Sequence, residues 1–250
     1  MSWLHALILG LVQGCTEFFP VSSSAHLKMI KTWLEIPTGD ETVFFDLSCH
    51  VGTLMALVLY FRKDLWDLFF VQPKKLILYA AALFPLVPAY FLLKPIRLWA
   101  SQPHLLGACL LITALLLFFT QKMKKGSGQN LTWKDALWIG AMQSVALVPG
   151  ISRSASTITG GVRRGLSVYE AVRFSFLLSI PAVAGGAFLE LLKLKEPAHF
   201  DIPSCTIGLL VSALVGLGVV RVAIPLLQRG VFRPFAWYCL IVAILLTVVL

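Results

Sequence analysis

Two short segments of this sequence concentrate side chains able to handle an oxyanion. Gln13 to His26 reads QGCTEFFPVSSSAH, and Pro149 to Thr157 reads PGISRSAST. In the first, Gln13 and Glu17 are four residues apart, so on a helix their oxygens face one way, suiting a hard divalent cation or the orientation of a hydroxyl or water. Ser23 and His26 are three apart, close enough on one turn for a nucleophile and a base to cooperate; a helix cap beside a satisfied histidine accounts for such a pair equally well. In the second, a Pro-Gly break frees backbone N–H groups, and Ser152, Ser154, Ser156 and Thr157 add hydroxyls. Arg153 supplies a planar fork matched to phosphate oxygens. A helix starting near Ser152 turns its positive end toward the same anion. Caps and small packing contacts explain serines alone, but a guanidinium in apolar surroundings needs an anion.

The elements that position these groups follow from composition. The chain has 250 residues, 58% hydrophobic and 13% charged, with a mean hydropathy of +0.84. Soluble domains are about half apolar and about a quarter charged, so a soluble fold, a disordered chain and a disulfide scaffold are all excluded. An all-α polytopic membrane protein remains, with no room for a separate soluble domain. Six apolar stretches read as crossings: Thr42–Phe61, Leu76–Leu93, His104–Thr120, Phe174–Leu192, Thr206–Leu227 and Phe235–Leu250. The stretches Trp3–Ile30 and Trp133–Gly161 start apolar and then break into the two polar segments. Such backbone is untenable against lipid, which predicts re-entrant hairpins buried in protein or lining a wet cavity. Cys15, Cys49, Cys109, Cys205 and Cys239 lack metal-ligand spacing and read as small buried hydrophobes. The N-terminus, without a basic region or clear cleavage site, does not read as a removable signal.

Sliding the sequence against itself by 130 positions pairs Trp3 with Trp133, Ala6 with Ala136, Leu7 with Leu137, Gly10 with Gly140 and Gln13 with Gln143. Ser22, Ser24 and Ala25 then meet Ser152, Ser154 and Ala155, making eight identities in 23 positions. Residues 1–120 and 131–250 therefore read as two copies joined by a cytoplasmic linker, 121–130. Each copy holds one re-entrant helical hairpin and three transmembrane helices. Three is odd, so the second copy enters from the opposite face, giving an inverted-topology repeat. The formal charge of +9 is then a topology signal rather than a mark of nucleic-acid binding. One side collects thirteen basic residues, among them Arg62, Lys63, Lys124, Lys125, Arg164 and Arg173; the other collects Lys28, Lys31, Lys94, Arg97, Lys193 and Lys195. The richer side is expected in the cytoplasm, both termini outside, and the hairpins meeting near the midplane.

These paired motifs resemble those of the bacterial undecaprenyl pyrophosphate phosphatase family, also called the bacitracin-resistance family. That family carries Glu or Gln followed by GxTEFxPVSSxxH, and later PGxSRSxxT. Phe45–Thr53, FDLSCHVGT, resembles a third, weaker segment, and the likeness covers essentially the whole chain. The resemblance implies a hydrolase of the bacterial inner membrane that recycles the lipid carrier of cell-wall synthesis by releasing its terminal phosphate on the outer side, conferring bacitracin resistance. It implies a catalytic group of Glu17, Ser23, His26 and Arg153, with Gln13, Ser22, Gly150, Ser152, Ser154 and Thr157 holding the substrate. Gln13 stands where many members carry a second Glu, and Ala25 where Gly is common. A divalent cation, Mg or Ca, is expected near Glu17. The partners are a prenyl pyrophosphate lipid and the bilayer, with a homodimer left open. Ser23 is the preferred nucleophile, its proton going to Glu17 or His26; attack by His26 or by activated water is the rival. A transporter or flippase for a phosphorylated lipid or other anion is the alternative, since inverted repeats and midplane anion sites mark that class too. Asp46 and His50 are expected behind the first hairpin or along the cavity, and Arg221 to pair with Glu190 or snorkel.

Overall fold

The computed structural model describes residues 1–37, 39–123, 126–128, 131–193 and 201–249. The chain runs through α1 (Trp3–Thr16), α2 (Ser23–Trp33), α3 (Asp40–Tyr60), α4 (Arg62–Trp66), α5 (Leu76–Leu83), α6 (Leu86–Leu92), α7 (Lys94–Ala100) and α8 (Leu106–Lys122). It continues through α9 (Trp133–Val145), α10 (Arg153–Arg163), α11 (Val168–Leu191), α12 (Ile202–Gln228) and α13 (Arg233–Val249). Among the described residues, five stretches are long and apolar enough to cross a bilayer: Asp40–Tyr60, Pro73–Leu92, Pro103–Lys122, Val168–Leu191 and Ile202–Gln228. The sixth expected crossing forms α13, whose 17 residues fall short of the roughly 20 that a straight span takes. Side chains such as Phe84, 68% exposed, and Leu214, 71% exposed, would form aggregating patches in water. The protein is an all-helical, multi-pass membrane protein, and lipid covers them.

Helix boundaries follow from local chemistry. Leu76–Leu93 divides into α5 and α6 around Pro85, because proline has no N–H to offer the preceding turn. Pro181 lies inside α11 without ending it, as membrane helices allow. The Ser2 hydroxyl caps α1, accepting from the His5 amide at 3.2 Å. At the start of α9, Thr132 and Asp135 form a reciprocal capping box, the Asp135 carboxylate accepting from the Thr132 amide at 3.0 Å.

Helices from the first half of the chain pack on helices from the second. α1 lies on α12, α9 on α5, α3 on α12, and α8 on α13. Glycines allow close approaches between the halves: a Cβ on Gly140 would sit 2.2 Å from the Ala82 carbonyl, and one on Gly52 2.3 Å from the Leu209 carbonyl. At one end of α3, the Met1 amino group pairs with Glu41 at 3.3 Å and Asp201 at 3.2 Å. Past its other end, Arg173 pairs with Asp64 at 2.6 Å. Arg164 meets Asp135, also at 2.6 Å. Of the expected linker, Gln121 and Lys122 belong to α8, and Gly128 donates to the Gly165 carbonyl at 3.1 Å. Lys124, Lys125, Gln129 and Asn130 lie outside the described residues, as does Lys195.

Candidate active site

α1 and α9, of 14 and 13 residues, are too short to cross, and each is followed by a tight turn into a second short helix. Different chemistry achieves each turn. After α9 the reversal falls on Gly150, with φ of 98°, a conformation that costs glycine little. Thr113 of α8 fixes it: its hydroxyl donates to the Gly150 carbonyl and accepts from the Ser152 amide, each at 2.9 Å. Ser152 then caps α10, accepting from the Ala155 amide at 3.3 Å. After α1 the left-handed residue falls two positions further along, on Ser22, the counterpart of Ser152, with φ of 67°, where a side chain makes this conformation costly. The Ser22 carbonyl accepts from the amides of Ala25 and His26. His26 Nδ1 adds a third bond at 2.8 Å, and these contacts hold the strained residue in place.

Both turns deliver helix starts to one place, where Glu17 is the hub. Its Oε1 accepts from Arg153 Nη2 at 2.8 Å. Its Oε2 accepts from the Ser23 hydroxyl at 2.6 Å and from Gln13 Nε2 at 3.0 Å. Gln13 Nε2 also donates to His50 Nδ1 at 2.8 Å, which brings the imidazole of α3 within 3.8 Å of the carboxylate. The Glu17 side chain is 8% exposed and that of Arg153 25%. Charges this deep are tolerable only as a pair with its hydrogen bonds filled. The Ser23 bond to Glu17, 2.6 Å, is short and charge-assisted.

These groups line a cavity of about 300 Å³. Glu17, Ser22, Ser23, Ser24, His50, Ser152, Arg153 and Ser154 make its polar wall. Leu47, Ala146, Ile151 and Val183 make its apolar one, and Tyr90 and Glu190 stand at the far end of α11. The starts of α2 and α10 both point into it, so two helix dipoles and their unsatisfied first-turn N–H groups favour an anion there.

Of the residues singled out from sequence, Glu17, Ser22, Ser23, Ser152, Arg153 and Ser154 reach this cavity, and Gln13 touches it through Glu17. Ser23 bonds Glu17 and not His26. With Nδ1 donating to the Ser22 carbonyl, the neutral His26 ring accepts at Nε2 from the Tyr238 hydroxyl, 2.8 Å away. The ring is 4% exposed and stacks on Tyr238 with centroids 5.6 Å apart. Thr157 lies on the buried side of α10, its hydroxyl 2.5 Å from that of Ser175, and Gly150 shapes the turn without lining the cavity. Asp46 pairs with Lys31 at 2.5 Å, whereas its neighbour by one turn, His50, lines the cavity. Arg221 is exposed on α12, while Glu190 accepts from Tyr90 and Lys193.

Tyr238, Thr113 and Tyr90 escape sequence reasoning. They sit in apolar helices with no local motif, and only the packing of α13, α8 and α6 brings them to the hairpins. Oxygens available to a cation are Glu17 Oε2 and Ser23 Oγ, 2.6 Å apart; Gln13 turns its Nε2 toward Glu17, and its buried Oε1 has no hydrogen-bond partner among the described residues. Among the described residues no cluster of three His, Cys, Asp or Glu side chains occurs.

A cavity within a helical membrane protein that joins a carboxylate to a hydroxyl and an arginine, between two helix starts, is equipped for phosphoryl chemistry. The sequence profile described as Bacitracin resistance protein BacA matches residues 6–245, and the chain belongs to that family. It is 36% identical over 253 residues to the Undecaprenyl-diphosphatase of Protochlamydia amoebophila, covering 99% of this chain and 98% of that one. Similar full-length likeness extends to proteins of the same name from Geotalea daltonii, 41% identical over 95% of this chain and 94% of the relative, and Korarchaeum cryptofilum, 37% identical over 98% of each.

Proposed function

We propose that this protein is a membrane phosphatase that hydrolyses undecaprenyl pyrophosphate to undecaprenyl phosphate and inorganic phosphate at the Glu17–Ser23–Arg153 cavity. The activity recycles the lipid carrier of cell-wall synthesis and underlies bacitracin resistance. The observation that carries the site assignment is that one carboxylate, Glu17, accepts from the Ser23 hydroxyl at 2.6 Å and the Arg153 guanidinium at 2.8 Å.

In the resting site Arg153 lowers the basicity of Glu17. When a pyrophosphate head arrives, its oxygens compete for the guanidinium, and Glu17 is released as a base in the same step that Arg153 and the two helix starts bind the anion. Ser23 Oγ then attacks the terminal phosphorus, and its proton passes to Glu17. A new Ser23 Oγ–P bond forms as the bond to the bridging oxygen breaks, and undecaprenyl phosphate leaves with that electron pair and takes the proton from Glu17, which is a carboxylate again. Water, giving a proton to Glu17, attacks the phosphoserine; the Oγ–P bond breaks, Ser23 regains a proton and inorganic phosphate departs. Mg²⁺ held by Glu17, Gln13 and Ser23 oxygens would supply charge neutralisation for the phosphates. His26 shapes the turn that presents Ser23.

The scaffold is read as two inverted repeats, 1–120 and 131–250. Supporting this, α1 and α9 start at Trp3 and Trp133, and α2 and α10 at Ser23 and Arg153, the spacing of the sequence repeat. Short α1 and α9 suit re-entrant hairpins dipping from opposite faces. Glu190 and Tyr90 line the cavity at the end of the molecule that carries fewer basic residues, which supports a mouth on the outer side with both termini there. An anion carrier needs Arg153 and helix starts but has no use for a hydroxyl bonded to a carboxylate.

The test is phosphate release from a prenyl pyrophosphate by purified protein in detergent, where no gradient exists. Release that Glu17→Ala and Arg153→Ala each abolish is expected. Full release by either variant would overturn the site.

A further inference from the structure

The cavity has a second charged cluster at its mouth, unused by the mechanism. Tyr90 and Glu190 both line the cavity, and the Tyr90 hydroxyl donates to Glu190 Oε1 at 2.9 Å. Lys193 Nζ donates to the same oxygen at 2.9 Å and also to the Tyr90 hydroxyl. The Arg97 guanidinium lies 4.2 Å from the Tyr90 ring centroid, and Lys193 Nζ 4.7 Å from it. Two cations thus serve a single carboxylate. Arg97 Nε is buried and, among the described residues, has no hydrogen-bond partner.

The inner end of the cavity has the same construction: Arg153 rests on Glu17 until an anion arrives. We infer that Arg97, Lys193 and Tyr90 form a second phosphate site at the mouth, in which Glu190 stands in for phosphate oxygens when no ligand is bound. Its excess positive charge, a guanidinium, an ammonium and a phenol hydroxyl match a tetrahedral oxyanion. The inference rests on the phosphatase reading for its purpose. Hydrolysis leaves inorganic phosphate beside Arg153, held by the groups that bound the substrate, and a competing cationic site at the mouth draws it out. The phosphate reaching the mouth can be the released ion or the head of an incoming lipid; the chemistry is shared and kinetics separate the two.

The experiment uses the full-length protein in detergent, with inorganic phosphate as product inhibitor of prenyl pyrophosphate hydrolysis, and compares Arg97→Ala, Arg97→Lys and Glu190→Gln. Removing a cation and removing the resident anion must act in opposite directions. Arg97→Ala is expected to raise the inhibition constant for phosphate about tenfold, with Arg97→Lys partly restoring it, and Glu190→Gln to lower it several-fold. Opposed shifts in KM instead of the inhibition constant would support the site and identify the lipid-borne phosphate as its ligand. Shifts in the same direction, or none, would overturn it, since a structural brace is weakened by losing either partner. A parallel arm measures inorganic phosphate binding to the Arg153→Ala protein by ³¹P relaxation, with and without Arg97→Ala. This arm needs no turnover. If the unaltered protein released no phosphate from any prenyl pyrophosphate, the functional reading would fail while the mouth site remained measurable; phosphate relaxation unaffected by Arg97→Ala would overturn the mouth site itself.

Discussion

At matching positions the turn after α1 carries Glu17, Ser23 and His26, and the turn after α9 carries Leu147, Arg153 and Ser156. Their frames agree closely. The Ser22 and Ser24 hydroxyls lie 3.2 Å apart, as do those of Ser152 and Ser154. His26 Nδ1 bonds the Ser22 carbonyl at 2.8 Å, and Ser156 Oγ bonds the Ser152 carbonyl at 3.0 Å. Cys239 donates to the carbonyl of Pro20, and its counterpart Cys109 packs on Gly150, the counterpart of Pro20. What differs is the load: one turn carries the proton acceptor and hydroxyl, the other the cation. Because Ser23 and Arg153 occupy equivalent positions and converge on the same carboxylate, the site exists only where the two turns face each other. Neither hairpin alone can hold an anion and attack it.

The deepest break in this division of labour is Glu17→Gln, which keeps a hydrogen-bonding shape but removes the base. A fall in kcat of about 10³-fold is expected, read as phosphate release at saturating substrate. Arg153→Lys attacks the other half. It keeps the charge and loses the fork, and should lower kcat/KM about 10²-fold, checked across substrate concentrations.

Sharpening the comparison calls for the residues that hold the turns. Tyr238→Phe removes the hydroxyl from His26 Nε2 and, on the proposed mechanism, in which His26 positions the Ser22 turn and Glu17 takes the proton, should cost about three- to tenfold in kcat with the pH–rate profile unmoved. A lost limb of that profile would make His26 the base. The smallest effect is expected at Thr157→Val. Its hydroxyl faces Ser175 inside the bundle, so the cost is about 1 kcal/mol of stability, seen as a lower unfolding midpoint, with KM unchanged.

The helical, membrane-spanning character was legible because burial in lipid demands continuous apolar runs, and the described residues of the six expected stretches fall largely on helices, Leu250 lying outside the described residues. The hairpin residues Glu17, Ser23 and Arg153 were legible because each is polar where composition argues against it. His26 misled by spacing: three residues from Ser23 on a helix places it one turn below, but the left-handed Ser22 turns the first hydroxyl toward Glu17 and the ring toward Tyr238. Thr157 misled similarly, since the motif records the residue but not which side of α10 it occupies. Tyr238, Thr113, Arg97 and Glu190 act through contacts between distant helices, which no local pattern encodes.

The central claim is that Ser23, activated by Glu17, carries the phosphoryl group. Prenyl pyrophosphate labelled in its terminal phosphate, mixed with purified enzyme, quenched in milliseconds and digested, tests it directly. The account predicts an acid-stable phosphoserine on the peptide containing Ser23, absent in Ser23→Ala. Acid-labile label on His26 would contradict it.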